Sequence, residues 1–163
     1  ILIEIQALVD KSMLPNPKRL TVGTDAQRLT MLLAILHRHV TLSTYDQDVF
    51  LNAVGGIKIN ETASDLAVLI AIVSSMTNQA VSSKTAIFGE VGLGGEIRPV
   101  SRGQERIKEA SKLGFKRIIV PLKNKASDIP DVEIIGVDNL RDAVKVVFGS
   151  NRVKNDEQIY PDE

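Results

Sequence analysis

Between Arg98 and Lys125 the chain carries nine basic residues, Arg98, Arg102, Arg106, Lys108, Lys112, Lys116, Arg117, Lys123 and Lys125, against two acids, Glu105 and Glu109. That stretch is +7 in a sequence whose 20 Lys+Arg and 20 Asp+Glu cancel overall, so the charge is segregated along the chain. Cations grouped in this way can neutralise nucleic-acid phosphates, which fixes position on a strand without reading its bases. The competing reading is a solvated face that only keeps the domain soluble. With two Tyr, four Phe and no Trp, stacking platforms for bases are few, and backbone contact is favoured over base recognition.

Other chemistries find less support. There is no cysteine, which excludes disulfides and thiolate metal sites, and the cytoplasm fits best. His37 and His39 are two apart at the expected end of a helix, where side chains diverge, so they read as a solvated terminus rather than metal ligands. Ser64, Asp65 and His37 contain the types of a catalytic triad, but an adjacent Ser and Asp on one turn point apart. The glycines between Gly89 and Gly95 precede a strand, and no GxxxxGK[ST] phosphate loop occurs anywhere. The longest apolar run, Leu66 to Val73, is too short to span a bilayer, so no membrane partner is expected.

The elements that must position these residues follow from periodicity and turn chemistry. Ile1 to Val9 is strand-like, Ser12 to Pro17 a loop and Leu20 to Val22 extended. Thr24 with Gln27 forms a capping box before Leu29, Leu32, Leu33, Leu36 and Val40, which share one helical face. Asp48 to Val54 reads as a strand, Gly55-Gly56 as a turn and Ile57 to Ile59 as extended. Thr62 with Asp65 is a second capping box, ahead of a helix through Met76 buried nearly all round. Thr85 to Leu93, Gly94-Gly95 and Glu96 to Pro99 make a hairpin. Ser101 with Gln104 caps a helix over 102–113 with Ile107, Ala110 and Leu113 inward, and Gly114 stops it. Lys116 to Pro121 and Val132 to Val137 are strands separated by a polar loop, Lys123 to Pro130. Asp138 caps a last helix, Leu140 to Phe148, closed by Gly149. Strands alternating with helices predict one α/β (α+β) domain over 1–149, a mixed sheet covered by helices. The acidic tail, 150–163, is expected to be disordered. A chain that opens ILIEIQALVD without Met reads as a fragment.

Several of these segments carry a family likeness. IEIQALVD, QDVFLNAVGGIKI, ETASDLA, FGEVGLGGEIRPV, GQERIKEA and GFKRIIVP, in that order, resemble the C-terminal domain of the bacterial RadA (Sms) repair proteins. The likeness extends more distantly to the proteolytic domain of Lon. It implies a Lon-protease-like, ribosomal-protein-like two-layer fold over about residues 1 to 148. Lon-type peptidases use a Ser-Lys dyad, and the resemblance places Ala63 at the nucleophile position and Gln104 at the base position. Neither side chain can do that chemistry. The resemblance therefore implies a pseudo-protease with no catalytic residue and no cofactor of its own, joined to an upstream zinc finger and RecA-like ATPase that would hold zinc, ATP and magnesium. Its implied role is to bind single-stranded or branched DNA during recombination and branch migration. Its implied partners are copies of itself, in a hexameric ring, and a recombinase of the RecA type. The DNA-contacting candidates are Arg98, Arg102, Arg106, Lys108 and Lys112 of the basic stretch, and a second group of Arg19, Arg28 and Lys58 together with Arg98. A peptidase with a displaced dyad and a protein-interaction scaffold are the alternatives.

Overall fold

The computed structural model describes residues 1–56 and 58–149. Ile57, the first residue of the expected extended piece 57–59, and the expected disordered tail, 150–163, lie outside the described residues.

Among the described residues, eight strands and four α-helices follow one another as β1 (Ile5–Lys11), β2 (Arg19–Val22), α1 (Ala26–Val40), β3 (Gln47–Ala53), α2 (Asp65–Thr77), β4 (Thr85–Ile87), β5 (Glu90–Val91), β6 (Ile97–Arg98), α3 (Gly103–Lys112), β7 (Arg117–Pro121), β8 (Glu133–Val137) and α4 (Leu140–Phe148). The mixed α/β class is as the alternation predicts, but the sheet is divided in three. In the first sheet β3 is central, antiparallel to β1 and parallel to β2. The second, ordered β4-β7-β8, is wholly parallel. The third is the two-stranded hairpin of β5 and β6.

Gly89 makes the division. The sequence predicts a continuous strand from Thr85 to Leu93, but the ladder to β7 ends where the Phe88 N–H donates to the Ile119 carbonyl. Gly89 then takes φ +153°, donates to the Ala63 carbonyl at 2.8 Å and accepts from the Leu66 N–H at 3.0 Å. A Cβ at this position would stand 3.1 Å from the Ile97 side chain and 3.3 Å from Pro121. Only glycine lets the chain turn here and pack so close to its neighbours.

β7 explains why its sequence is continuously apolar. Ile118 and Val120 enter a small core with Ala86, Phe88, Ile107, Ala110 and Ile134, while Ile119 enters the main core. A strand buried on both faces has no polar alternation to show. In the main core, α1 contributes all five predicted residues together with Ile35. α2 is buried nearly all round, as its composition predicts.

The helix starts differ from the capping-box reading in every case. α1 is capped by Asp25, whose carboxylate accepts from the Gln27 N–H, rather than by Thr24. α4 is capped by Asn139, not Asp138. Thr62 and Asp65 do not form a box, because both are drawn to partners far away in sequence. Ser101 does not cap α3: Arg102 holds the N-cap position in the left-handed region, φ 59°, and makes no side-chain cap bond. At the other end Gly114 behaves as predicted, donating to Ser111 while Phe115 donates to Ala110, the paired bonds of a Schellman motif. Leu113, expected inward, is 58% exposed because this turn carries it off the buried face.

Candidate nucleic-acid interface

Ala63 lies in a single 3₁₀ turn, Thr62–Ser64, that leads into α2. Its methyl is buried, and its carbonyl is fixed by Gly89. The neighbouring hydroxyls are committed elsewhere: Ser64 Oγ donates to the Glu61 carbonyl at 3.2 Å and Thr62 Oγ1 to the Glu90 carboxylate. Gln104 opens α3 and its amide donates to the Asn124 carbonyl. Arg106, 3.1 Å from Glu61, ties α3 to the turn that carries Ala63. Neither position offers a nucleophile or a base.

Asp65 is 2% exposed and forms no triad. It accepts from the Val91 N–H at 3.0 Å, from Arg28 Nε at 3.1 Å and from a second guanidinium nitrogen of Arg28. Because Arg28 meets Asp65, His37 lies nine residues farther along α1, about 13 Å at 1.5 Å per residue. His37 is exposed, but His39 is not the free terminus expected of it. Its Nε2 bonds the Leu93 carbonyl at 2.9 Å, and its ring occupies the space a Cβ at Gly95 would need.

The eight basic candidates fall into three environments. Arg19 and Arg28 are turned inward. Arg19 donates to the carbonyls of Thr44, at 2.8 Å, and of Gln47, while Arg28 bridges Asp65 and the Val91 carbonyl. The hydrogen bond that Arg28 donates to Asp65 raises the Arg28 pKa against the opposing effect of burial. Arg98, Arg102 and Arg106 are paired at the surface with Glu90 and Glu96, with Glu105, and with Glu61. Arg106 also lies 6.0 Å from the centre of the Phe88 ring, within cation–π range. The Arg102 pKa is raised by its bonds to Glu105. Lys58, Lys108 and Lys112 are exposed with no ion pair among the described residues; Lys108 and Lys112 are one turn apart on α3. Lys116, Lys123 and Lys125 are likewise exposed, with no ion pair among the described residues. The +7 counted along the sequence is thus partly cancelled in space, since Glu61, Glu90 and Glu96 come from other elements.

Asn124 carries a role no motif announced. Its side chain holds Val100 at both backbone groups, accepting from N–H at 2.8 Å and donating to the carbonyl at 3.1 Å. With Gln104 bonded to its main chain, it fixes the start of α3 and hence Arg102. Among the described residues no three His, Asp or Glu side chains gather as a metal site, and no helix is long and apolar enough to cross a membrane.

Residues 30–124 match the family described as subunit ChlI of Mg-chelatase. The chain is 56% identical over 149 residues to the DNA repair protein RadA of Pseudomonas aeruginosa, covering 91% of this chain and 33% of that protein. It is 54% identical over 147 residues to RadA of Escherichia coli, covering 90% and 32%, and 42% identical over 151 residues to RadA of Bacillus subtilis, covering 91% and 33%. The chain spans about a third of the length of these curated relatives.

Proposed function

Since the chain belongs to the family described as subunit ChlI of Mg-chelatase and is related to RadA along nine tenths of its length, we propose that it is a non-catalytic DNA-binding and ring-forming domain of a DNA repair ATPase. The observation that carries this is the set of exposed cations on and beside α3. Among the described residues Lys108, Lys112, Lys116, Lys123 and Lys125 have no ion-pair partner, and Arg102 faces an exposed carboxylate that a phosphate can replace. Contacts of this kind follow a backbone and give little sequence preference. The inward-turned Arg19 and Arg28 serve the fold in this reading, and Lys58 is exposed near Gly23 and Thr24.

Alanine at position 63 and glutamine at 104 remove the dyad a Lon-like peptidase would need, so the domain contributes surface rather than chemistry. Zinc, ATP and magnesium belong, on this reading, to other parts of the full-length protein, which acts on single-stranded or branched DNA beside a RecA-type recombinase. The domain closes a hexameric ring around that DNA.

Fluorescence anisotropy across a salt series tests the proposal. Each single-strand phosphate contact adds about −0.7 to the slope of log affinity against log salt. Replacing Arg102, Lys108 and Lys112 together by Ala should reduce the slope by about 2 on unrelated sequences alike. An unchanged slope would leave the basic face as a solubilising surface. Turnover of an unfolded protein substrate that Ser64→Ala abolishes would restore the peptidase alternative, and a monomer at every concentration in sedimentation would remove the ring.

A further inference from the structure

Among the described residues β1 and β4 each present one unpaired edge, since β1 ends the first sheet and β4 ends the second. Both edges line a single groove of about 1070 Å³. Its floor is α2, which contributes Ala67, Ile70, Ala71, Ser74 and Ser75, and Leu20, Val22 and Phe50 of the first sheet extend the lining. The two strands run in opposite senses. The C-terminal half of β1 meets the last turns of α2, where the Val9 N–H donates to Ser75 Oγ at 2.9 Å. The exit of β4 meets the first turn, where Gly89 bonds Ala63 and Leu66.

The backbone groups on these edges can be assigned. Val9 N–H points to α2, and the Val54 N–H donates to the Glu4 carbonyl, so in β1 the even residues pair with β3 and the odd residues face the groove. Ile5 and Ala7 therefore turn both N–H and C=O to an edge where no strand pairs with them among the described residues. In β4 the Lys84 carbonyl and Phe88 N–H face β7, which leaves Ile87 N–H and C=O on the open side. Among the described residues, unpaired peptide groups along β1 and at Ile87 of β4, above a floor of mostly small side chains, have the shape of a sheet lacking one strand.

We propose that this groove takes an extended, largely uncharged polypeptide segment, which pairs with β1 on one side and β4 on the other. Charge specifies the occupant further. Glu4 is the single charged residue among those lining the groove, whereas Lys84 and Lys116 are exposed beyond its Thr85 end, where the Lys116 N–H donates to the Lys84 carbonyl. The segment is apolar or small through its middle, with a basic residue at the Glu4 end and an acidic one at the Lys84 end. Main-chain pairing supplies affinity and alternate side chains supply selectivity, the mode of β-strand addition.

The test uses the octapeptide Lys-Val-Thr-Val-Ala-Val-Thr-Glu, its reversed sequence, and a form N-methylated at alternate residues. Hydrogen exchange read residue by residue should slow at least tenfold at Ile5, Ala7 and Ile87 when one of the unmethylated peptides binds. Gln6 and Leu8, already paired with β3, should change little. The methylated peptide should not bind. Ala7→Pro removes a groove-facing N–H without breaking the ladder to β3, and should weaken binding at least tenfold while the unfolding midpoint stays near that of the parent. Ser74→Lys, which fills the floor, gives a second route to the same loss. Binding that methylation or both variants leave intact, protection confined to other amides, or no binding by either peptide at millimolar concentration would each overturn the proposal.

Discussion

Arg28 and Arg102 each present two N–H groups to one carboxylate, yet Asp65 is 2% exposed and Glu105 is 65% exposed. The difference lies in what could replace either partner. Water reaches Glu105 freely, so the Arg102 pair adds little to stability, and a passing phosphate can take the carboxylate's place. Asp65 sits where α1, α2 and β5 meet, and without Arg28 its charge keeps only the Val91 N–H. Identical chemistry therefore holds the fold in one region and leaves a cation available in the other.

The most severe test of that contrast is Arg28→Ala, which should lower stability by about 3 kcal/mol, the lower end for an orphaned buried charge since Arg28 is itself partly exposed. Urea unfolding measures it. If Arg102→Ala cost as much, the distinction between the two pairs would collapse.

A smaller and opposite effect is expected from Arg102→Gly. The left-handed conformation at φ 59° costs a residue with a Cβ about 1 kcal/mol, so glycine should raise the unfolding free energy by about that much while DNA affinity falls. Gain of stability with loss of binding would mark a strained residue kept for its contact. Parallel loss of both would mean that Arg102 serves the fold.

Glu105→Gln sharpens the contrast from the other side. Removing the competing carboxylate should tighten DNA two- to threefold at low salt, with a stability change within about 0.5 kcal/mol. Weaker binding in anisotropy would show that Glu105 orients Arg102 rather than occupying it.

The smallest expected effect is in pH dependence. The Lys18 N–H donates to Asp48 at 2.6 Å and holds its carboxyl below the ordinary carboxylate pKa. Its contribution is thus present above that ordinary value and is lost as pH falls through the depressed one. Asp48→Asn should flatten the acid limb of a plot of urea midpoint against pH. An unchanged limb would assign acid sensitivity elsewhere.

What the sequence made legible was whatever is encoded locally. The α1 face, the Gly114 stop and the β5–β6 hairpin rest on spacing and turn residues a few positions apart. Helix starts were ambiguous where cap-forming residues adjoin, as in Thr24-Asp25 and Asp138-Asn139, because a pattern read at three-residue spacing tolerates a shift of one. Thr62 and Asp65 were misread for another reason: their partners, Glu90 and Arg28, are 28 and 37 residues away. The local charge of Arg98 to Lys125 was legible, but its cancellation by Glu61, Glu90 and Glu96 required the fold.

The near-complete burial of α2 has a consequence during synthesis. α2 ends at Thr77, whereas the elements that cover it extend to Phe148 at the end of α4. At roughly 5–20 residues per second, the ribosome needs about 4–14 s to make those last seventy or so residues. Throughout that interval Leu66, Leu69, Ile70, Ile72 and Val73 have only the N-terminal sheet and α1 to shield them. The nascent chain therefore offers an apolar helix to chaperones over that interval, before its own second half closes over it.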